Sequence, residues 1–321
     1  MLDRLKKYSA DGNLVIVVGA GISKDLPSNV PSWWEYNKML LKVMGECGAE
    51  TIGMEGNLLD TDNLDQYLPV TTVSELLLDR FAGESYYSLI RLLEASVPNK
   101  NHLMLANLAQ EKKLRACITT NFDTLIEHAF NDCGVPLIVS EHPDDFLRDL
   151  SKTGISVSLL KIHGSVTDYH YAIDTVRQKV KGIESSKRAQ MENLFRDNHV
   201  LFMGFSGDDF LFDSDYIPVS ACRNGVTWVS YPGSRLNPVI EKFSEKEDFE
   251  VAFMTLSDFY KEMEWNLDEK GNTKLIDYFK MPVDQEQMRN AEKSIREYYS
   301  RDSMKWGCVG TCLELLSPRR L

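Results

Sequence analysis

The sequence predicts an α/β fold with a doubly wound parallel sheet, because short apolar runs repeatedly end in glycine or polar residues. The first run, Leu14–Val18, is β-branched from position 15 onward, as a strand covered on both faces requires. Gly19 and Gly21 follow it and allow a sharp turn and a close approach of a ligand to the backbone. A strand that ends in such a turn is suited to hold a pyrophosphate. The third glycine of a dehydrogenase-type fingerprint is missing, because that position is Lys24.

Three later segments repeat this design. Each is a short, mostly apolar run that ends in polar side chains or glycine: residues 117–119 before Thr120, Asn121 and Asp123, residues 159–162 before His163, and residues 200–203 before Gly204 and Ser206. In a doubly wound sheet the carboxyl ends of the strands share one edge, and ligands bind there. The four junctions therefore predict one site along that edge.

The remaining elements follow from capping signals and apolar periodicity. Ser32 and Glu35 form a capping box, and apolar residues at helical spacing predict a helix from Trp33 to Cys47. Asp123 is placed to open a helix over 124–133. The other predicted elements are a loop at 48–65, helical regions at 73–113 and 168–197, strands at 135–139, 199–203, 226–231 and 249–254, a polar turn at 266–272, and apolar stripes at 288–298 and 306–316.

The order and spelling of the four junctions resemble the sirtuin family. That family has a glycine-alanine-glycine-x-serine loop, an asparagine-x-aspartate turn, a histidine-glycine pair and a glycine-x-serine strand end, and the same motifs stand here in order between residues 14 and 206. The resemblance implies a Rossmann-like sheet and NAD as the substrate. The bond at stake joins nicotinamide to ribose. The nicotinamide ring is already cationic and leaves as a neutral molecule, so its departure needs no general acid. The site must instead position the nicotinamide ring and the molecule that accepts the ribosyl group.

The resemblance also implies a role for each residue of the junctions. Asn121 and His163 would be catalytic: Asn121 would bind the ribose hydroxyls and the attacking water, and His163, near its ordinary pKa of ~6.5, would accept a proton. The cofactor-binding residues would be Gly19, Ala20, Gly21 and Ser23 at the diphosphate and adjoining ribose, Thr120 beside them, Asp123 in the nicotinamide pocket, and Gly204 and Ser206 on the adenosine side.

Each of these roles has a structural alternative. Asn121 and Asp123 fit a helix cap, and His163 fits an ordinary, partly buried histidine. Trp33 and Trp34 fit the core better than ligand stacking. A further acidic cluster, which lacks the spacing of a calcium loop, is interpreted as solvated acids: Asp208, Asp209, Asp213 and Asp215.

Two differences from the deacylating sirtuins reduce the range of functions that the resemblance implies. Thr120 stands where those enzymes typically have glutamine, and no cysteine lies between His163 and Cys222, so we expect no zinc ribbon and no bound metal. Both features resemble the bacterial antiphage-defence branch, with its Thoeris-type effectors. That resemblance implies an NADase that cleaves NAD to nicotinamide and ADP-ribose. A protein deacylase or ADP-ribosyltransferase and a non-enzymatic nucleotide sensor stay open as alternatives.

Composition limits the location and the partners. The 321 residues carry a net charge of −12, which disfavours direct binding to nucleic acid or to an anionic membrane. No apolar run approaches the ~18 residues of a membrane span, and the first residues lack the apolar stretch of a signal peptide. A cytoplasmic protein is expected.

We predict two regions along the chain. Residues 1–266 would form the NAD-binding catalytic domain, with a helical insert at about 48–115. Residues 267–321 would form a C-terminal helical segment that mediates homo-oligomerisation or contacts a regulatory partner protein or a fused further domain.

Overall fold

Seven parallel strands form one sheet, which confirms the predicted α/β architecture. The computed structural model describes residues 2–51, 74–75, 94, 97–148, 150 and 156–281. Within them, the spatial order of the strands is β3-β4-β2-β1-β5-β6-β7. The strands are β1 (Leu14–Val18), β2 (Ala116–Thr119), β3 (Leu137–Ser140), β4 (Val157–Lys161), β5 (His199–Met203), β6 (Val226–Ser230) and β7 (Phe249–Phe253).

Strand β1 is the centre of the sheet, and every one of its residues is buried. Val18 pairs in register with Thr119 of β2 and with Met203 of β5, so the carboxyl ends of the three strands are level. From β1 the chain continues to β2 on one side and later to β5 on the other. The switch point of the topology therefore lies between β1 and β5, where ligands bind in folds of this class.

The described residues also form nine α-helices. Among the described residues they are α1 (Asp3–Ala10), α2 (Trp33–Thr51), α3 (Lys100–Gln110), α4 (Leu125–Cys133), α5 (Val176–Val180), α6 (Ser185–Asp197), α7 (Pro238–Ser244), α8 (Leu256–Glu262) and α9 (Glu269–Lys280). Because side chains alternate along a strand, Ile16 joins the core cluster with Phe130 and Phe259, and Val17 joins the opposite cluster with Phe195.

The described parts of the chain divide into two compact units. Of the described residues, one unit contains 2–30, 94, 97–148, 150, 156–173 and 178–281, and the other contains 31–51, 74–75 and 174–177. The sheet and helix α3 belong to the first unit. Helix α2 belongs to the second, and its predicted capping box is confirmed, because the Ser32 backbone N–H donates to the Glu35 carboxylate (2.7 Å) and the Glu35 N–H donates to the Ser32 hydroxyl (3.3 Å).

Some predicted boundaries are wrong for local reasons. The loop predicted at 48–65 is wrong for residues 48–51, because α2 continues to Thr51, and the rest of that range lies outside the described residues. The strand predicted at 135–139 begins at Leu137, because Gly134 ends α4 in a left-handed conformation and the Val135 N–H donates back to the Phe130 carbonyl (2.9 Å).

The polar turn predicted at 266–272 is also wrong, because most of it belongs to a helix. The Asp268 carboxylate accepts the Gly271 N–H (2.7 Å) and caps α9. The apolar stripes at 288–298 and 306–316 lie outside the described residues, as does most of the helical region predicted at 73–113. No helix in the described part of the chain combines the length and apolar character needed to cross a bilayer.

Candidate functional site

The glycine junction after β1 packs directly against the glycine after β5. The Gly19 N–H donates to the Met203 carbonyl (3.3 Å), and the Gly21 N–H donates to the Gly204 carbonyl (2.8 Å). A Cβ on Gly21 would lie 2.7 Å from the Gly204 Cα, and a Cβ on Gly204, whose φ is +59°, would lie 2.6 Å from the Ile22 nitrogen. The close approach of two strand ends at the switch point therefore requires these glycines, whether or not a ligand binds there.

Ser23 is the centre of a buried hydrogen-bond network. Its hydroxyl lies 3.0 Å from the Asp123 carboxylate, 3.3 Å from the Asn121 side-chain nitrogen and 3.1 Å from Nε2 of His102. The Asn121 amide also donates to the Gly19 carbonyl (3.2 Å). The structure thus brings together Ser23, Asn121 and Asp123, which the sequence predicted to share one site.

His102, on helix α3, was not identified from the sequence. Its Nδ1 lies 3.1 Å from the Asn99 backbone nitrogen, whose N–H donates to it as part of a capping box at the start of α3. Burial lowers the pKa of His102 to about 3, and the nearby Asp25 raises that pKa only in part. The ring is therefore neutral at physiological pH.

The Asn121–Asp123 turn leads from β2 into α4. The Asn121 N–H donates to the Thr119 hydroxyl (3.0 Å), and the Asp123 carboxylate accepts the Leu125 N–H (3.2 Å). Asp123 therefore does fit the helix-cap alternative, but its second oxygen belongs to the Ser23 network. Burial raises the pKa of Asp123, against the opposing effect of Lys161.

Lys161 contacts this turn from strand β4, and its role was not identified from the sequence. Its side chain is fully buried, and its ammonium donates to the Asp123 carbonyl (2.7 Å) and to the Glu127 carboxylate (2.8 Å). A lysine in a buried strand is costly unless it is paired. Its presence in an otherwise apolar run was the signal that could have identified it.

His163 lies beyond the end of β4, next to the strand that carries Asn121. Its Nε2 is 3.0 Å from the Tyr216 hydroxyl and 4.0 Å from the Asp209 carboxylate. The expectation of an ordinary pKa is wrong, because burial lowers the pKa of His163 to about 3, with Asp209 raising it in part and Lys179 and Lys187 lowering it further. The ring is therefore neutral at physiological pH.

The solvated-acid interpretation is wrong for Asp209. That residue is only 6% exposed, and its carboxylate accepts a hydrogen bond from Lys179 (2.6 Å). Burial alone would raise the pKa of Asp209, but Lys179 holds it below its usual value. Asp208 is exposed, as the interpretation required, and accepts the hydroxyl of the equally exposed Ser206 (2.9 Å). Asp215 is half-buried and pairs with Arg188.

The other predicted binding residues lie at the same edge of the sheet. Ala20 is the first residue of the short 3₁₀ turn Ala20–Ser23. Thr120 is half-buried, and its N–H lies 3.4 Å from the Val18 carbonyl. Within the residues that the structure describes, no group of three or more His, Cys, Asp or Glu side chains is arranged to hold a metal ion. Cys308 and Cys312 lie outside those residues.

Comparison of the sequence with known protein families finds a similarity over part of the chain. The family model of the SIR2-like domain matches residues 115–216. No curated protein matches the chain. The matched segment contains Asn121, His163 and Gly204 but leaves out the glycine junction of β1 and His102. The match supports a sirtuin-like domain in this chain and is consistent with chemistry on NAD.

Proposed function

We propose that the chain is an NAD glycohydrolase that cleaves NAD to nicotinamide and ADP-ribose. The observation that carries the proposal is the Asn121 side chain, which is tied to the glycine junction through the Gly19 carbonyl and the Ser23 hydroxyl. A turn suited to a pyrophosphate and an amide suited to a ribose are thereby held together at the switch point. The SIR2-like match over 115–216 supports NAD as the ligand.

The proposed reaction consumes one water molecule. The bond between nicotinamide and the ribosyl carbon breaks, its electron pair leaves with the ring, and nicotinamide departs as a neutral molecule. The water oxygen bonds to the ribosyl carbon, and one of the water protons passes to His163 and then to solvent. Burial keeps the free His163 ring neutral and lowers its pKa to about 3, so the ring can act as the base only while a neighbouring carboxylate offsets the positive charge that it gains. The Asp209 carboxylate, 4.0 Å from Nε2, is placed to do this.

Water is proposed as the acceptor because two features of the deacylating sirtuins are missing from the sequence. Thr120 replaces their usual glutamine, and the segment after His163 lacks the cysteines of the zinc ribbon that borders a peptide groove. A hydrolase that acts on NAD alone has no need of such a groove. We therefore extend the proposal to an NAD-depleting effector of antiphage defence that contains no zinc.

The test is incubation of the purified chain with NAD as the sole substrate, followed by mass spectrometry of the products. Nicotinamide and free ADP-ribose are expected, and acylated lysine peptides should leave the rate unchanged. His163→Ala should reduce the rate by ~100-fold, as loss of a general base does. His170→Ala is the matched control, because that exposed histidine contacts Asp168 rather than the buried network.

Other outcomes would overturn the proposal in distinct ways. Peptide-dependent release with an O-acyl ester as product would make the chain a deacylase, and transfer of ADP-ribose to protein would make it a transferase. Binding of NAD without any cleavage would make it a nucleotide sensor. One zinc ion per chain in elemental analysis would contradict the expected absence of metal.

A further inference from the structure

We infer that His102 is a positioning residue for Asn121: acting through Ser23, it fixes the Asn121 side chain so that its amide oxygen faces the substrate. The part of this inference that concerns the substrate rests on the proposed function. The orientation of the side chain is a property of the protein itself. His102 lies outside the segment that matches the SIR2-like family model.

The first step is the tautomer of His102. The Asn99 backbone N–H is a donor, so the Nδ1 atom that it contacts (3.1 Å) must be the acceptor. A neutral imidazole carries one proton, which is therefore on Nε2. That N–H points at the Ser23 hydroxyl oxygen (3.1 Å) and donates to it. The backbone at the start of α3 thus sets the direction of the hydrogen bond to Ser23.

The second step is the proton of Ser23. The hydroxyl oxygen has three partners, namely His102, the Asn121 side chain and Asp123. Two of these are N–H donors, and the third is the Asp123 carboxylate, whose ionised, accepting form is favoured by the charge of Lys161 and by the Leu125 N–H (3.2 Å) against the effect of burial. The single Ser23 proton is therefore directed to Asp123 (3.0 Å). Ser23 has no proton left for a phosphate, so we assign it to the support of the site rather than to direct contact with a diphosphate.

The third step is the amide of Asn121. The side-chain group next to the Gly19 carbonyl (3.2 Å) must be the NH₂, since a carbonyl only accepts. The same NH₂ donates to Ser23 (3.3 Å), so both of its protons are used. The amide oxygen of Asn121 makes no hydrogen bond within the described part of the chain and is the atom left for a ligand. It would accept a hydrogen bond from a ribose hydroxyl or from the attacking water.

Two substitutions of His102 separate this role from simple helix capping. His102→Gln places a side-chain NH₂ near the former Nε2 and keeps a donor for Ser23, whereas His102→Asn keeps a group near Nδ1 and loses that donor. We expect His102→Asn to lower the kcat for NAD cleavage at least ~10-fold with little change in KM, and His102→Gln to recover most of the rate. A role confined to the cap at Asn99 would give the reverse order.

A measurement without NAD distinguishes failure of this inference from failure of the proposed function. In the ¹H–¹⁵N spectrum of the free protein, the Asn121 side-chain NH₂ signals, assigned with Asn121→Asp, should shift and exchange faster with solvent in His102→Asn but not in His102→Gln. The ¹⁵N shifts of the His102 ring should show a proton on Nε2. A proton on Nδ1, unchanged Asn121 signals in His102→Asn, or equal rates in the two variants would overturn the inference. If these signals behave as expected but no NAD is cleaved, the proposed function fails and the positioning role stands.

Discussion

The glycine contact at the switch point yields the most quantitative test of the structure. Gly204 differs from an ordinary turn glycine in two ways, because its φ is +59° and its Cβ position is occupied by backbone atoms of Gly21 and Ile22. Gly204→Ala should therefore be destabilised by two separate effects. An L side chain in the left-handed region costs about 1–2 kcal/mol, and overpacking against a backbone that cannot rotate away costs a further ~1–3 kcal/mol.

Two other glycines isolate these effects. Gly233 has a φ of +79°, and no atom lies within 4 Å of the position that a Cβ would take there, so Gly233→Ala should show the conformational effect alone. Gly21 has no positive φ but would place its Cβ 2.7 Å from Gly204, so Gly21→Ala should show the steric effect alone. The loss of unfolded-state freedom on replacing glycine by alanine favours folding by ~0.4–1 kcal/mol in all three variants and cancels in the comparison.

Urea denaturation followed by circular dichroism measures the differences. Gly204→Ala should be less stable than Gly233→Ala by about 1–3 kcal/mol, which corresponds to a shift of the midpoint by roughly 1 M at a slope of ~1–3 kcal/mol per M. Gly21→Ala and Gly204→Ala should also weaken NAD binding in calorimetry, and Gly233→Ala should not. Equal stabilities for Gly204→Ala and Gly233→Ala would refute the close approach of the two strand ends.

Four further predictions address the site and the assembly. Asn121→Ala should reduce NAD turnover at least ~100-fold, as the loss of a positioned hydrogen-bonding group does, while a thermal melt shows a folded protein; wild-type turnover would end its assignment. Lys161→Met should lower the free energy of unfolding by about 3 kcal/mol because it leaves Glu127 without its partner, and adding Glu127→Gln should restore part of that loss in urea titrations. The free energy of unfolding should fall as the pH drops from about 6.5 toward 4, because His102 becomes protonated in the unfolded chain while its pKa in the folded chain is about 3. In His102→Gln, the dependence of the unfolding free energy on pH should be shallower by up to ~1.4 kcal/mol per pH unit. An unchanged dependence would contradict the burial of a neutral His102 ring. Residues 267–321 are expected to mediate self-association, and light scattering that shows a fully active monomer at low micromolar concentration would count against it.

The sheet was predictable from sequence because its signals are local. Runs of buried, β-branched residues such as Leu14–Val18 need no partner to be recognised, and the predicted strand at 199–203 has the bounds of β5. Element ends were less predictable, because they depend on single capping bonds. The Asp268 cap of α9 and the left-handed Gly134 each moved a boundary by a few residues.

Residues of the candidate site were predictable only where a motif marks them. Asn121 and Asp123 follow a strand and could be assigned to the sheet edge, and the structure places both in the Ser23 network. His102 lies in helix α3, far along the chain from Ser23, and no motif marks it. Asp209 is buried only because the folded chain places it beside Lys179. Neither the burial of a side chain nor the pKa shift that follows from it, as at His163, is encoded in the spacing of neighbouring residues.

The central position of β1 has a consequence for how the protein is made. The strand leaves the ribosome well before the neighbour on one of its edges, β5, which is complete only at Met203. At ~5–20 residues per second, the apolar segment Leu14–Val18 waits on the order of 10–40 s before both of its edges can be paired. An unpaired apolar strand is a template for aggregation during that interval. Chaperones that bind extended apolar segments during synthesis are therefore expected to raise the yield of native protein.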